Sequence, residues 1–180
     1  MSKIILASSS PRRKELLKRE GIDFMVDASC IDEVLDESLP LKSRLMKLSY
    51  DKGEPIHKKY PKDIVISADT TVFHNDEIIG KASDKEEARR ILLSLSNDKQ
   101  IVFTSVTIFK EDMIISFIDE TAVYFKDIEG MIDDYLLHDE WKGKAGAYAI
   151  QGMASKFVDH IEGDIDTVIG LPVKRVVELI

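Results

Sequence analysis

Cysteine occurs once in 180 residues, at Cys30, so no internal disulfide frames this chain and cysteine-rich zinc sites are excluded. Cys30 has no nucleophile context and is expected as a small buried hydrophobe. Tryptophan also occurs once and proline five times, and no proline-rich or low-complexity tract marks a linker. No apolar run approaches the ~20 residues needed to span a bilayer. The apolar start, Ile4-Ile5-Leu6-Ala7, is too short for a secretory signal, and the expectation is a cytoplasmic protein. Basic residues are in deficit: 25 Lys and Arg against 33 Asp and Glu give a net charge of −8. That balance argues against a general nucleic-acid binder, which needs a basic surface for phosphate contacts. Familiar catalytic patterns are missing too, among them G-x-x-x-x-G-K-[ST], G-x-G-x-x-G, H-E-x-x-H and G-x-S-x-G. His57, His74, His138 and His160 have no metal-like spacing and read as surface or locally bonded side chains. Trp141 reads as core.

What is present is alternating β and α signal without an internal repeat. Ile4–Leu6 is a short strand of the kind buried on both faces. Ser10 is placed as N-cap and Pro11 as first residue of a helix running to Arg19, with Gly21 as its stop. Phe24–Val26 reads as a second strand, followed by an acidic loop holding Asp32, Glu33, Asp36 and Glu37. Leu41, Leu45 and Leu48 share one helix face, whose next position is Lys52. Gly53, Pro55 and Pro61 are expected to break the chain before a strand at Ile64–Ile66, which ends in Ser67-Ala68-Asp69-Thr70-Thr71. A hairpin turns at Asn75-Asp76. Ser83-x-x-Glu86 is a capping box for a helix reaching Leu95. Ile101–Phe109 and Ile114–Phe125 form a strand pair, Asp127 caps a helix through Leu136, a strand follows at Lys156–Ile161, and a last helix covers Val173–Ile180. The order predicts an α/β fold, a mixed central sheet flanked by helices, built as one domain over 1–180 with two lobes around a cleft.

The strongest local oddity is Pro11-Arg12-Arg13-Lys14. Five of the 25 basic residues fall between Arg12 and Arg19, although the positive end of a helix dipole disfavours cations by a few tenths of a kcal/mol or so. A strand, a serine-rich turn and a helix start form an anion site, because free backbone N–H groups converge there. Arg12 and Arg13 make sense if that anion carries several charges; Lys14, Lys18 and Arg19 read as a solvated face. Asp69 ends a buried strand, where an acid serves as metal ligand or base, or simply as a turn residue. Lys52 on a leucine stripe is unusual, though lysine also snorkels over apolar surface. Lys81 alone reads as a loop lysine and Glu33 as part of a solvated acidic loop. Together, two carboxylates and several cations suit a divalent Mg²⁺ or Mn²⁺ ion and a polyphosphate.

From Leu6-Ala7-Ser8-Ser9-Ser10-Pro11-Arg12-Arg13-Lys14-Glu15-Leu16-Leu17 onward, the chain resembles the Maf family of nucleoside triphosphate pyrophosphatases. Further matching blocks are Asp32-Glu33, Lys52, Ser67-Ala68-Asp69-Thr70, Gly80-Lys81, Lys144-Ala145-Gly146-Ala147-Tyr148, Ile150-Gln151-Gly152 and Gly170-Leu171-Pro172. They follow family order across nearly the whole chain. The resemblance implies cleavage of a nucleoside triphosphate between its α and β phosphates, releasing the monophosphate and pyrophosphate. It implies Asp69 as general base and Glu33 with Asp69 as metal-binding acids. Ser8, Arg13, Lys52 and Lys81 fall at phosphate-contacting positions, the cations stabilising the pyrophosphate leaving group. Arg12, Thr70 and Gln151 stand where the substrate branches differ and read as in the dTTP/UTP-preferring branch. The 7-methyl-GTP branch has Trp, Gln and Glu there. An amide at Gln151 both donates and accepts toward a pyrimidine edge, whereas an ionised glutamate only accepts. Two departures are Ala82, where the family commonly has proline, and Thr167, where it often has asparagine. The resemblance also implies a homodimer. The competing readings are the 7-methyl-GTP branch and a non-catalytic nucleotide-sensing regulator of cell division.

Overall fold

Seven strands pair in the order β2-β1-β3-β5-β6-β7, with β4 joined to β3, in a computed structural model that describes residues 2–31 and 34–180. The architecture is α/β, a mixed sheet with six α-helices among the described residues. β1 (Ile4–Leu6) runs parallel to β2 (Met25–Val26) and to β3 (Ile64–His74), with Ile4 opposite Ile64 and Leu6 opposite Ile66. β3 then pairs antiparallel with β4 (Glu77–Ile79). β5 (Lys99–Lys110) and β6 (Met113–Phe125) are joined through Glu111-Asp112, and β7 (Val158–Glu162) is antiparallel to β6. Contacts divide the chain into two compact units.

The first unit comprises Met1–Asp69, Thr104–Asp119 and Gly170–Ile180. Its helix α1 (Pro11–Arg19) has the span the sequence predicts, burying Leu16 and Leu17. The expected Ser10 side-chain cap is not made; instead the Ser10 N–H donates to Ser8 Oγ at 3.3 Å. Helix α2 (Leu41–Lys59) passes straight through the expected break at Gly53 and Pro55. Proline inside a helix forfeits a hydrogen bond and costs about 3 kcal/mol. The apolar stripe outlasts it: Leu45, Leu48 and Ile56 are all buried, each contributing about 1.5–3 kcal/mol. Ile56 joins Ile5, Ala7, Val65 and Phe109 in a core cluster flanked by Tyr50 and Tyr60. Gly53 is needed where α2 crosses this core, because a Cβ there would collide with the Phe109 ring and the Ser67 side chain. Ser67 itself is fully buried and donates to the carbonyl of Ser49 at 2.6 Å. Helix α6 (Val173–Leu179) buries Val173 and Val176. Cys30 is exposed, contrary to expectation, because it lies on the irregular chain after β2.

The second unit comprises Thr70–Phe103 and Glu120–Ile169. Its hairpin turns at Asn75 and Asp76 as the sequence predicts, both with positive φ (49° and 62°), the geometry that matches strand twist. Helix α3 (Lys85–Leu95) starts one residue later than the capping box implied. Asp84 is its N-cap and accepts from the Glu87 N–H at 2.8 Å, while Glu87 reaches back to the Ser83 N–H. The helix expected after Asp127 is a 3-10 turn (Glu129–Met131) followed by the short α4 (Ile132–Leu136). A second difference is the 3-10 turn Met153–Phe157, where the sequence had suggested the start of a strand. Phe157 is buried there, 5.0 Å from the Tyr135 ring and 5.8 Å from Phe125. Aromatic packing thus holds a turn ahead of β7. Trp141 is buried in this unit, as expected, and α5 (Ile165–Ile169) follows β7.

Candidate active site

In the first unit, the turn between β1 and α1 holds its polar side chains by their own bonds. Ser8 is buried, and its Oγ accepts from Arg13 Nη1 at 3.0 Å as well as from the Ser10 N–H. Arg13 Nε donates to the Gly170 carbonyl at 2.8 Å, so the guanidinium is tied at two points. Helix α1 has no side-chain cap and no acid in its first turn. The N-terminal end of such a helix favours an anion through its dipole and its outward N–H groups. Arg12 is half-buried, and burial lowers its pKa from the ordinary arginine value. A cation held partly out of water gains from an anion brought beside it.

Asp69 and Lys52 form the second feature of this unit. Lys52 lies on α2 and Asp69 on β3, and Lys52 Nζ donates to Asp69 Oδ1. Both side chains are largely buried, with 16% and 13% exposed. The lysine's place on the apolar stripe is explained by this partner and not by snorkelling alone. The carbonyl of Lys52 accepts from Ser29 Oγ at 2.7 Å, fixing that turn of the helix. Glu33, the other expected metal ligand, lies outside the described residues. Among the described residues no group of three or more His, Cys, Asp and Glu could hold a metal by itself. One carboxylate with hard oxygen donors still fits Mg²⁺ or Mn²⁺, which complete their shells with waters and substrate phosphates.

In the second unit, Thr70 continues β3 immediately after Asp69, while Lys81 and Gln151 are exposed. Their placement comes from backbone. Lys81 forms an antiparallel bridge with Ala145, and the Gly146 N–H donates to the Gly80 carbonyl at 3.2 Å. The segment supporting that bridge contains Ala147, fully buried with φ at 58°. A left-handed alanine is strained and persists only where its surroundings impose it. The Tyr135 hydroxyl donates to the Ala147 carbonyl at 3.2 Å. Burial and then the nearby negative charge of Glu140 raise the Tyr135 pKa above the phenol range, keeping it a donor. Burial likewise raises the pKa of Tyr148. Gln151 sits in a turn closed by the Gly152 N–H donating to the Ala149 carbonyl at 3.0 Å.

A family model described as Maf-like protein matches residues 3–180. The chain belongs to this family. Proteins of similar sequence are named dTTP/UTP pyrophosphatase in Pyrococcus abyssi and in a Geobacillus species. Each is 43% identical over 178 residues, covering 98% of this chain and 94% or 96% of the relative. A third, from Pyrococcus furiosus with the same name, is 41% identical across 100% of this chain and 95% of its own length. Relative to that family frame, the structure brings Ser8 to Arg13 and Lys52 to Asp69, and it bridges Lys81 to the Lys144–Tyr148 block. Two residues take a part that their sequence context does not show, Ala147, quoted above only within a matching block, and Glu140. A left-handed alanine leaves no mark in sequence. Glu140, beside Asp139, looks like an ordinary solvated acid.

Proposed function

We propose that this protein is a nucleoside triphosphate pyrophosphatase that hydrolyses dTTP and UTP, with 1–180 working as one catalytic domain. The Asp69–Lys52 ion pair carries this reading: it keeps a carboxylate in an inner stretch of β3, oriented by a cation. Asp69 serves as general base, taking a proton from the attacking water. The water oxygen bonds to the α-phosphorus, the bond from that phosphorus to the α–β bridging oxygen breaks, and pyrophosphate leaves with the electron pair. Arg13, held by Ser8 and by the Gly170 carbonyl, meets phosphate oxygens in a fixed orientation. Ser8, Lys52 and Lys81 add contacts that stabilise the leaving pyrophosphate. Glu33 and Asp69 would hold a divalent ion, Mg²⁺ or Mn²⁺, which would supply neutralisation of phosphate charge.

Arg12, Thr70 and Gln151 select the base. The names of the relatives and the exposed amide of Gln151 both favour a pyrimidine. Among the described residues no helix is long and apolar enough to cross a membrane, and a nucleotide substrate fits a cytoplasmic setting. The net charge of −8 disfavours nucleic-acid partners, and a homodimer is the assembly we expect. A panel of dTTP, UTP, CTP and 7-methyl-GTP with Mg²⁺ or Mn²⁺, read by pyrophosphate release, tests the proposal. Fastest turnover of dTTP and UTP is expected. Preference for 7-methyl-GTP would move the protein to the other branch, and binding without release would make it a nucleotide sensor.

A further inference from the structure

Glu140 is the middle residue of a short 3-10 turn, Asp139–Trp141, and is half-buried. Its Oε2 accepts from the N–H of Met153 at 2.8 Å, across 13 positions of sequence. Met153 is the first residue of the 3-10 turn that follows Gln151 and Gly152. The first N–H groups of such a turn have no partner within it and call for an outside acceptor. Normally the residue ahead of the turn supplies one from its side chain, but here that residue is Gly152 and has none. The glycine is required for a different reason. A Cβ at Gly152 would overlap the Glu140 carboxylate, so the missing side chain is the space in which Glu140 sits. The segment is closed from both sides, because Gly152 donates to the Ala149 carbonyl and accepts from the Ser155 N–H, each at 3.0 Å. Gln151 lies between these bonds with its side chain exposed. Among the described residues, the backbone of this turn is what aims its amide.

We propose that Glu140 is a positioning residue for Gln151: its carboxylate replaces the absent cap of the 153–157 turn and thereby fixes the direction of the base-reading amide. The role rests on Gln151 reading the base, as proposed above. Glu140 does not touch the triphosphate in this scheme. Its loss acts on recognition of the base and leaves the phosphate contacts of Ser8 and Arg13 alone.

The test compares the full-length wild type with Glu140→Ala, Glu140→Gln and Gly152→Ala. KM and kcat are measured for UTP, dTTP and 7-methyl-GTP, and inorganic tripolyphosphate serves as a competitive probe without a base. Glu140→Ala is expected to raise KM for UTP about tenfold while kcat changes less than about twofold. The preference for UTP over 7-methyl-GTP narrows by a similar factor, and tripolyphosphate inhibition is unchanged. Glu140→Gln, whose amide oxygen still accepts from Met153, restores most of the preference. Gly152→Ala, which expels the carboxylate without removing it, reproduces the alanine phenotype even where Glu140→Ala folds poorly. Adding it to Glu140→Ala costs little more, since the two act through one contact. Unchanged preference in Glu140→Ala and Gly152→Ala overturns the proposal, as does equal weakening of UTP and tripolyphosphate. A wild type without pyrimidine preference overturns instead the reading of Gln151, and this shows before any variant is made.

Discussion

The two units arrange their functional candidates by opposite means. In the first, Ser8, Arg13, Lys52 and Asp69 are wholly or partly buried and hold one another through side chains. In the second, Lys81 and Gln151 are exposed, and it is the backbone beneath them that is held, by the bridge to Ala145 and by the bond from Met153 to Glu140. The difference follows from charge. Buried charges need a partner to offset lost hydration, whereas exposed ones are solvated already and need only direction. A change of side chain should therefore damage the first unit, and a change of backbone freedom the second.

The largest expected effect is in the first unit. Asp69→Asn still accepts from Lys52 but no longer takes a proton from water, so pyrophosphate release falls roughly 100- to 10,000-fold with the fold retained. Near-normal turnover would remove Asp69 from the base role. Arg13→Lys comes next: an ammonium cannot reproduce the fork that reaches Ser8 and the Gly170 carbonyl together. KM for UTP should rise about tenfold, measured by initial rates at fixed Mg²⁺. If lysine serves equally well, the two-point tether has no consequence and the contrast between the units weakens.

The backbone side is tested at Ala147. Ala147→Val forces a β-branched residue into left-handed conformation and should lower stability by about 1–3 kcal/mol in urea unfolding. Ala147→Gly should be neutral or better. Valine tolerated as well as glycine would show that the strain is not there. The smallest effect belongs to Asp98, whose half-exposed carboxylate pairs with buried His74. The His74 bond, then the Lys99 N–H, lower the Asp98 pKa from its ordinary 3.8. A depressed carboxylate pKa adds stability above the unfolded value and loses it as pH falls through the folded one. Wild type should therefore exceed Asp98→Asn by a few tenths of a kcal/mol at pH 7, discounted for exposure. That margin should close below about pH 3.8; a margin constant with pH would exclude the ionised carboxylate as its source.

Legibility in the sequence follows the range of the forces involved. Helix α1, started by Pro11 and stopped at Gly21, and the Asn75-Asp76 hairpin are set by local backbone preference, and both stand where the sequence places them. The full length of helix α2 is not legible because Gly53 and Pro55 are breakers in isolation. Only the tertiary core shows that the glycine admits Phe109 and Ser67 and that Ile56 extends the buried stripe. The same holds for β3: the sequence reads as a strand at Ile64–Ile66 ending in Ser67–Thr71 and a separate hairpin strand at Val72-Phe73, whereas one strand runs from Ile64 to His74. At the site, residue types identified Arg13, Lys52 and Asp69 as candidates, yet their pairing across distant segments is invisible in a linear pattern. The parts taken by Glu140 and Ala147 are not legible in the sequence because they lie in backbone geometry.

Strand β3 also limits how the chain tolerates changes in length. Its start is indexed by Ile64 to Ile66 opposite Ile4 to Leu6, and its end by Val72 to His74 opposite β4. Asp69 lies three residues beyond the first register and three before the second. Side chains alternate along a strand, so one residue inserted or deleted between Ile66 and Val72 would turn Asp69 or Thr70 to the opposite face. Segments such as 27–30 and 34–39 carry no such index and accept extra residues at small entropic expense. Indels in variants of this chain should therefore crowd into loops and stop abruptly at the eleven residues of β3.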